Sequence, residues 1–309
     1  MALRAAGLCR LALRSQCAAV RSLSSVAAGG EPPGGDDKPG RLVDLVALRR
    51  ERAPRPPPEP ARLPPSISDL GISTDWTVQL NAQIMACTSA EAVLDLVTPQ
   101  LERLSVVNAS TALTTIHKRA GKAAWLQRDA RLARLLRFTA RVFERMRQRD
   151  LAGTLFACGR LGVRPPADWL ERFWTASALS LGEFTALNLH STLYACGQLG
   201  VTPPPDWLQR YWRGSASKLC EFKPQELTSL LYACMQLGIM PPDDWLQRFW
   251  QASASKLDAF APLVLSNTLY ACGKLGIMPP ADWLQHYWAV SLQKLDEFKP
   301  QGMSNTLYA

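Results

Sequence analysis

No run of about 18 to 20 uncharged apolar residues, the length a membrane-spanning helix requires, occurs in the 309 residues; Arg, Lys, Asp or Pro interrupts every candidate stretch. No membrane insertion is therefore expected. Histidine is scarce, and His117, His190 and His286 show neither ligand nor triad spacing. Walker-loop, G-x-G-x-x-G and H-E-x-x-H patterns are missing as well. The sequence therefore gives no basis for catalysis, for a cofactor, for a bound metal or for a small-molecule substrate. Paired cysteine spacing is also lacking. Cys9 and Cys17 fall near the N-terminus, while Cys158, Cys196, Cys234 and Cys272 recur with a fixed period, which points to structure rather than to disulfides or redox chemistry.

Acidic residues are absent from residues 1–30, which hold Arg4, Arg10, Arg14 and Arg21 among many Ala and Ser. That composition is expected of an organelle transit peptide, and the arginines leave no uninterrupted apolar core for a secretory signal. A mitochondrial destination is favoured by Arg21–Ser25, with the chloroplast as the alternative. Residues 31–79 begin with closely spaced prolines, including Pro56-Pro57-Pro58, and are expected to form a disordered, solvated linker.

What the chain has in abundance is repetition. LYACGQLGVTPPPDWLQRYW from Leu193 returns as LYACMQLGIMPPDDWLQRFW from Leu231 and as LYACGKLGIMPPADWLQHYW from Leu269. Trp169, Trp207, Trp245 and Trp283 are each 38 residues apart, as are the four periodic cysteines. Repeats are thus placed at 146–183, 184–221, 222–259 and 260–297, with a truncated one at 298–309. A helical region at 80–145 precedes them and holds a degenerate copy around Trp125. Since the last segment stops inside a first helix, further repeats are expected to follow.

Each unit reads as two helices. The first ends in Gly200-Val201-Thr202-Pro203 or its equivalent, the form of a Schellman stop. The second opens at Pro203-Pro204-Pro205-Asp206, where proline suits the first turn and Asp206 either caps the free amides or complements the positive end of the helix dipole. Leu189, Leu193, Cys196 and Leu199 form one apolar stripe, and Trp207, Leu208, Tyr211, Trp212 and Leu219 another. A single pair cannot bury both stripes, so neighbours must stack. The expected fold is all-α, an α-solenoid of stacked 38-residue helix-turn-helix repeats.

Period and motif together resemble the octotricopeptide repeat family, through Pro165-Pro166-Ala167-Asp168-Trp169, Pro203-Pro204-Pro205-Asp206-Trp207, Pro241-Pro242-Asp243-Asp244-Trp245 and Pro279-Pro280-Ala281-Asp282-Trp283. Asp stands where family units usually carry Glu. The resemblance implies an imported protein that binds single-stranded organelle RNA and acts in transcript stability, processing, splicing or translation, with other RNA-processing or translation factors as candidate partners. A protein-binding helical scaffold is the alternative.

Repeat-per-base recognition varies a few side chains on a constant unit, so the varying positions are the candidate readers. Beside the constant Leu189 these are Asn188 with Glu226; His190 with Thr228 and Ser266; and Ser191 with Ser229, Asn267 and Asn305. At 100° per residue Ser191, Tyr194 and Gln198 share a face, repeated by Gln236 and Lys274 at the Gln198 position and by Arg160 in the first unit. Amides and hydroxyls there suit base edges, and Arg160 suits phosphate. The tyrosines either stack on bases or pack between first helices, and a solvated polar face needs no ligand at all.

The formal charge of +9 is unevenly placed. Residues 146–309 hold 14 basic and 13 acidic side chains, whereas 118–149 holds 11 basic and 2 acidic. Arg134, Arg137, Arg141 and Arg145 fall away from the apolar side of their segment, as phosphate contacts or as a solvated surface.

Overall fold

The computed structural model describes residues 74–120 and 124–308. The expected transit peptide at 1–30 and residues 31–73 of the expected linker lie outside them. Every described element is helical: α1 (Thr74–Ala86), α2 (Ala90–Val97), α3 (Val106–Ala120), α4 (Ala130–Val142), α5 (Gln148–Leu161), α6 (Ala167–Ala178), α7 (Ala186–Leu199), α8 (Pro205–Ala216), α9 (Pro224–Leu237), α10 (Asp243–Ala254), α11 (Pro262–Leu275), α12 (Ala281–Gln293) and α13 (Pro300–Tyr308), with short 3-10 turns between them. The odd helices stack side by side in one layer and the even helices in another. This is the architecture of an α-solenoid. Because α1 starts at Thr74, residues 74–79 are helix rather than linker.

The turn chemistry follows the sequence. Gly162, Gly200, Gly238 and Gly276 close α5, α7, α9 and α11 at φ of 65°, 59°, 63° and 69°, left-handed values that glycine adopts without a Cβ penalty. The next residue completes the Schellman bond, as when the Val201 N–H donates to the Cys196 carbonyl at 3.0 Å. At the start of α8 Asp206 makes no side-chain cap bond; it lies in the first turn, where a carboxylate complements the helix dipole. Glycine also sets the spacing at two joints of the odd layer. A Cβ on Gly159 would lie 3.0 Å from the Ala195 Cα, and one on Gly197 3.1 Å from the Ala233 Cα, so these helices meet nearly backbone to backbone.

The even layer is held by large side chains. Trp169, Trp207, Trp245 and Trp283 are all at most 2% exposed. Each indole N–H donates to a hydroxyl on the preceding even helix: Trp169 to Thr139 at 3.1 Å, and Trp207, Trp245 and Trp283 to Ser177, Ser215 and Ser253 at 2.9 Å. The rings form an almost continuous file. Trp174–Trp207, Trp212–Trp245 and Trp250–Trp283 make edge contacts across successive repeats at 5.1 to 5.2 Å. Tyr211 and Tyr287 also donate across the layers to the Leu189 and Leu265 carbonyls. Lys218 reaches the Gly182 carbonyl at 2.8 Å, and Lys256 and Lys294 repeat the contact one and two units on.

The periodic cysteines sit under this framework. Burial pushes the Cys158 and Cys272 thiols up to about 12 and raises those of Cys196 and Cys234 as well, which keeps them as unreactive thiols at neutral pH.

The N-terminal region follows the same scheme in a different register from the one the sequence suggests. Trp125 lies in a 3-10 turn, Ala124–Arg128, ahead of α4, and it is 37% exposed beneath the Arg131 guanidinium. It does not occupy the buried tryptophan position. Asp129 starts α4 by accepting the Arg131 N–H at 2.7 Å, four residues after Trp125, so the WLQR echo is not in register with the helix. Thr139, which accepts from Trp169, fixes the true alignment. An additional pair, α1 and α2, precedes α3 and α4.

Candidate nucleic-acid interface

Positions i, i+4, i+7 and i+11 of an α-helix share one face. On α7 that face is Leu187, Ser191, Tyr194 and Gln198; on α9, Gln225, Ser229, Tyr232 and Gln236; on α11, Leu263, Asn267, Tyr270 and Lys274. α5 begins the series with Arg149, Gly153, Phe156 and Arg160, and α13 continues it with Gln301 and Asn305. The outer members are exposed and the middle ones half-buried, so the odd helices from α5 onward each present one variable stripe to solvent.

Only some of the expected readers lie on it. Ser191, Ser229, Asn267, Asn305, Gln198, Gln236, Lys274 and Arg160 do. Asn188 does not: it is buried, and its Oδ1 accepts the Thr185 N–H at 3.3 Å while its own N–H donates to the Thr185 hydroxyl at 3.2 Å. Glu226 likewise takes the Lys223 N–H at 2.8 Å. The two occupy one repeat position, the third residue of the helix, where either side chain can close the helix start; Val264 holds it in α11 without a cap. Thr228 and Ser266 are buried too. The Thr228 hydroxyl meets that of Thr268 at 2.6 Å across the α9–α11 joint, and Ser266 donates to the Leu263 carbonyl. These four are corrected from readers to structural residues. His190 lies in the α7–α9 joint against the Tyr194 ring, 5.7 Å between centroids, with both ring nitrogens buried and unpartnered. Burial holds its pKa below the usual histidine value, and Glu226 opposes that shift.

The sequence reading missed the N-terminal members of the stripe, Arg149, Leu187, Gln225, Leu263 and Gln301. Carrying the helical arithmetic one turn back from Ser191 would have found them. Leu187 and Leu263 are 59% and 66% exposed, so the stripe alternates polar and apolar at this position.

The aromatic row differs along its length. His117, Phe156 and Tyr194 touch in sequence, at 5.6 and 6.0 Å, and Arg160 donates to the Tyr194 hydroxyl at 3.4 Å. Tyr232 has no ring contact among the described residues, and the Tyr270 ring carries only the Lys274 ammonium, 5.5 Å from its centroid. Ring-to-ring packing between helices therefore uses the first rings of the row, while Tyr232 and Tyr270 stay half-buried on the stripe.

The arginines of α4 lie elsewhere. Arg134, Arg137 and Arg141 point out of the even layer and line a cleft against residues 98–103, and Arg141 pairs with Glu102 at 2.8 Å. Arg145 is exposed in the next turn, outside that lining. Among the described residues no cluster of His, Cys, Asp and Glu could hold a metal ion, and no helix is long and apolar enough to cross a membrane.

Residues 189–304, from within α7 to within α13, match the family model described as Tbc2 translation factor, C-terminal domain. This part of the chain is similar to a family named for translation, rather than to one named for the octotricopeptide repeat. Among curated proteins, none matches the chain.

Proposed function

We propose that the chain is an organelle-imported RNA-binding helical-repeat protein that controls transcripts after transcription, with translation the foremost process. Organelle import is the reading of the Arg-rich, acid-free residues 1–30, with the mitochondrion favoured by Arg21–Ser25 and the chloroplast as the alternative. The protein acts without catalysis, by occupying a single-stranded segment along the odd-helix stripes and presenting it to translation factors. The observation that carries this reading is the stripe itself: hydroxyls, amides and basic side chains that change from repeat to repeat beside a recurring tyrosine, on a largely constant helical frame. The similarity of residues 189–304 to a translation-factor domain supports the process assigned.

One observation favours a second reading, a protein-binding scaffold. Exposed Leu187 and Leu263 would suit the apolar side chains of a bound peptide. Both readings are separated by gel-shift titration of the protein against organelle RNA pools over a salt series. RNA binding predicts affinity that falls as salt rises and exceeds that of an unrelated helical repeat. Affinity no better than the control, or independent of salt, would leave the scaffold.

A further inference from the structure

The strongest concentration of unneutralised charge faces away from the stripes. Between α4 and residues 98–103 lies an open cleft of about 590 Å³, lined by Arg103, Arg134, Arg137 and Arg141, with Glu102 as its one acidic residue. We propose that this cleft is a phosphate-binding site that grips nucleic-acid backbone from the even-helix side, without reading bases. The proposal rests on the RNA reading above and adds a second, separate contact to it.

Four observations carry it. First, three arginines occur together on α4 alone. The Trp–hydroxyl bonds fix the register of the even helices, and the positions of Arg134, Arg137 and Arg141 are held by Arg172, Thr175 and Leu179 in and just after α6; by Arg210, Arg213 and Ser217 in and just after α8; and by Arg248, Gln251 and Ser255 in and just after α10. Second, the charges are not consumed by the fold. Only Arg141 has a carboxylate partner, Glu102, and Arg134 and Arg137 have none within ion-pair distance among the described residues. The repeats treat cations differently, because Lys218, Lys256 and Lys294 are spent on backbone carbonyls of the preceding turn. Third, Arg103 is pre-positioned, with its guanidinium 4.5 Å above the Trp76 ring, which leaves its N–H edges available to an anion. Fourth, Thr98 lines the cleft, is 8% exposed, and has a hydroxyl with no hydrogen-bond partner. That is a buried donor the fold has left unused.

Guanidinium forks match phosphate oxygens in pairs, and residues three and seven apart lie about 4.5 and 10.5 Å along a helix axis, a span that accommodates successive phosphates. The cleft has little with which to read bases, since the Gln100 amide is already bonded to the Leu96 carbonyl. Its ligand is therefore defined by phosphate. A strand on the odd-helix stripes would reach it only by leaving that face, so the cleft holds a flanking part of the RNA.

The test uses the full chain and an Arg134→Gln/Arg137→Gln variant, whose altered side chains have no partner inside the described protein. RNA affinity is measured by fluorescence anisotropy between about 50 and 200 mM salt, and tripolyphosphate binding by Trp76-sensitive fluorescence quenching. Loss of two phosphate contacts lowers the salt slope by roughly 1.4, so the variant loses about sevenfold less affinity than the parent over this range, with base preference unchanged. Tripolyphosphate binds the parent and not the variant. An unchanged slope overturns the proposal, and if tripolyphosphate binding is still lost the cleft serves some other anion, such as an acidic peptide. If the parent fails to bind RNA at all, the functional reading falls with the backbone contact, while the tripolyphosphate arm still reports whether an anion site exists.

Discussion

The two helical layers are built on opposite rules. In the even layer Trp169, Trp207, Trp245 and Trp283 recur unchanged, each bonded to a hydroxyl one unit before it, with lysines bridging successive turns. In the odd layer glycine allows a close backbone approach at Gly159 and Gly197, Met235 replaces it in α9, and the outward stripe changes along the stack, from Arg149 through Leu187 and Gln225 to Leu263. Variation is tolerated where a side chain leaves the protein, and in part inside the odd-layer joints, where His190, Thr228 and Ser266 exchange for one another, whereas the tryptophan that bridges each pair of even helices does not vary. In a stack stabilised by nearest neighbours, the first class is available for recognition and the second for cohesion.

The most severe way to break this contrast is to strike the constant layer. Trp245→Ala removes a fully buried ring and its bond to Ser215, and should cost about 3–5 kcal/mol in denaturant unfolding, with loss of cooperativity across the neighbouring repeats. Trp245→Phe should cost less, because the ring file is largely kept. Next comes Gly238→Ala. The site has open space around it, so the positive φ of 63° alone sets the penalty, about 1 kcal/mol by the same assay. Smaller still is Ser229→Asn on the stripe, expected to stay within about 0.5 kcal/mol of the parent in stability while shifting preference among RNA oligomers. A large stability loss with unchanged preference would erase the distinction between layers. The mildest effect is on pH dependence. Burial lowers the folded pKa of His190, and of His117 with help from Arg160 and Lys118, below the unfolded value of 6.5. The stabilisation these neutral rings contribute is present above that value and is lost as pH falls through it toward the folded pKa. His190→Phe should flatten, though not abolish, the acid side of the melting profile, since His117 remains.

Much of this contrast could be read before any coordinates. Fixed period, Gly stops and Pro-Asp-Trp starts define the helix pairs, because local turn chemistry decides them within a few residues. The candidate face was legible only in part. Ser191 and Gln198 follow from helical geometry, but Asn188 and Glu226 vary as caps, and Thr228 and Ser266 vary inside a joint; variation alone does not say which way a side chain points. The arginine cleft was half visible. Composition marked α4 as basic, but Arg103, Glu102 and Thr98 come from a segment some forty residues earlier in sequence, and only packing brings them to Arg141. Trp125 misled for a similar reason: its WLQR neighbours imitate a repeat, whereas Asp129 starts the helix later.

The central claim, that RNA lies along the odd-helix stripes, is tested most directly by ultraviolet crosslinking of the full chain to bound organelle RNA, with crosslinked peptides mapped by mass spectrometry. The account predicts crosslinks at Tyr232 and Tyr270, which lie on the stripes of α9 and α11, and none at the buried tryptophans of the even layer. Crosslinks confined to even-helix surfaces, with Tyr232 and Tyr270 unmodified in a complex that binds RNA, would contradict it.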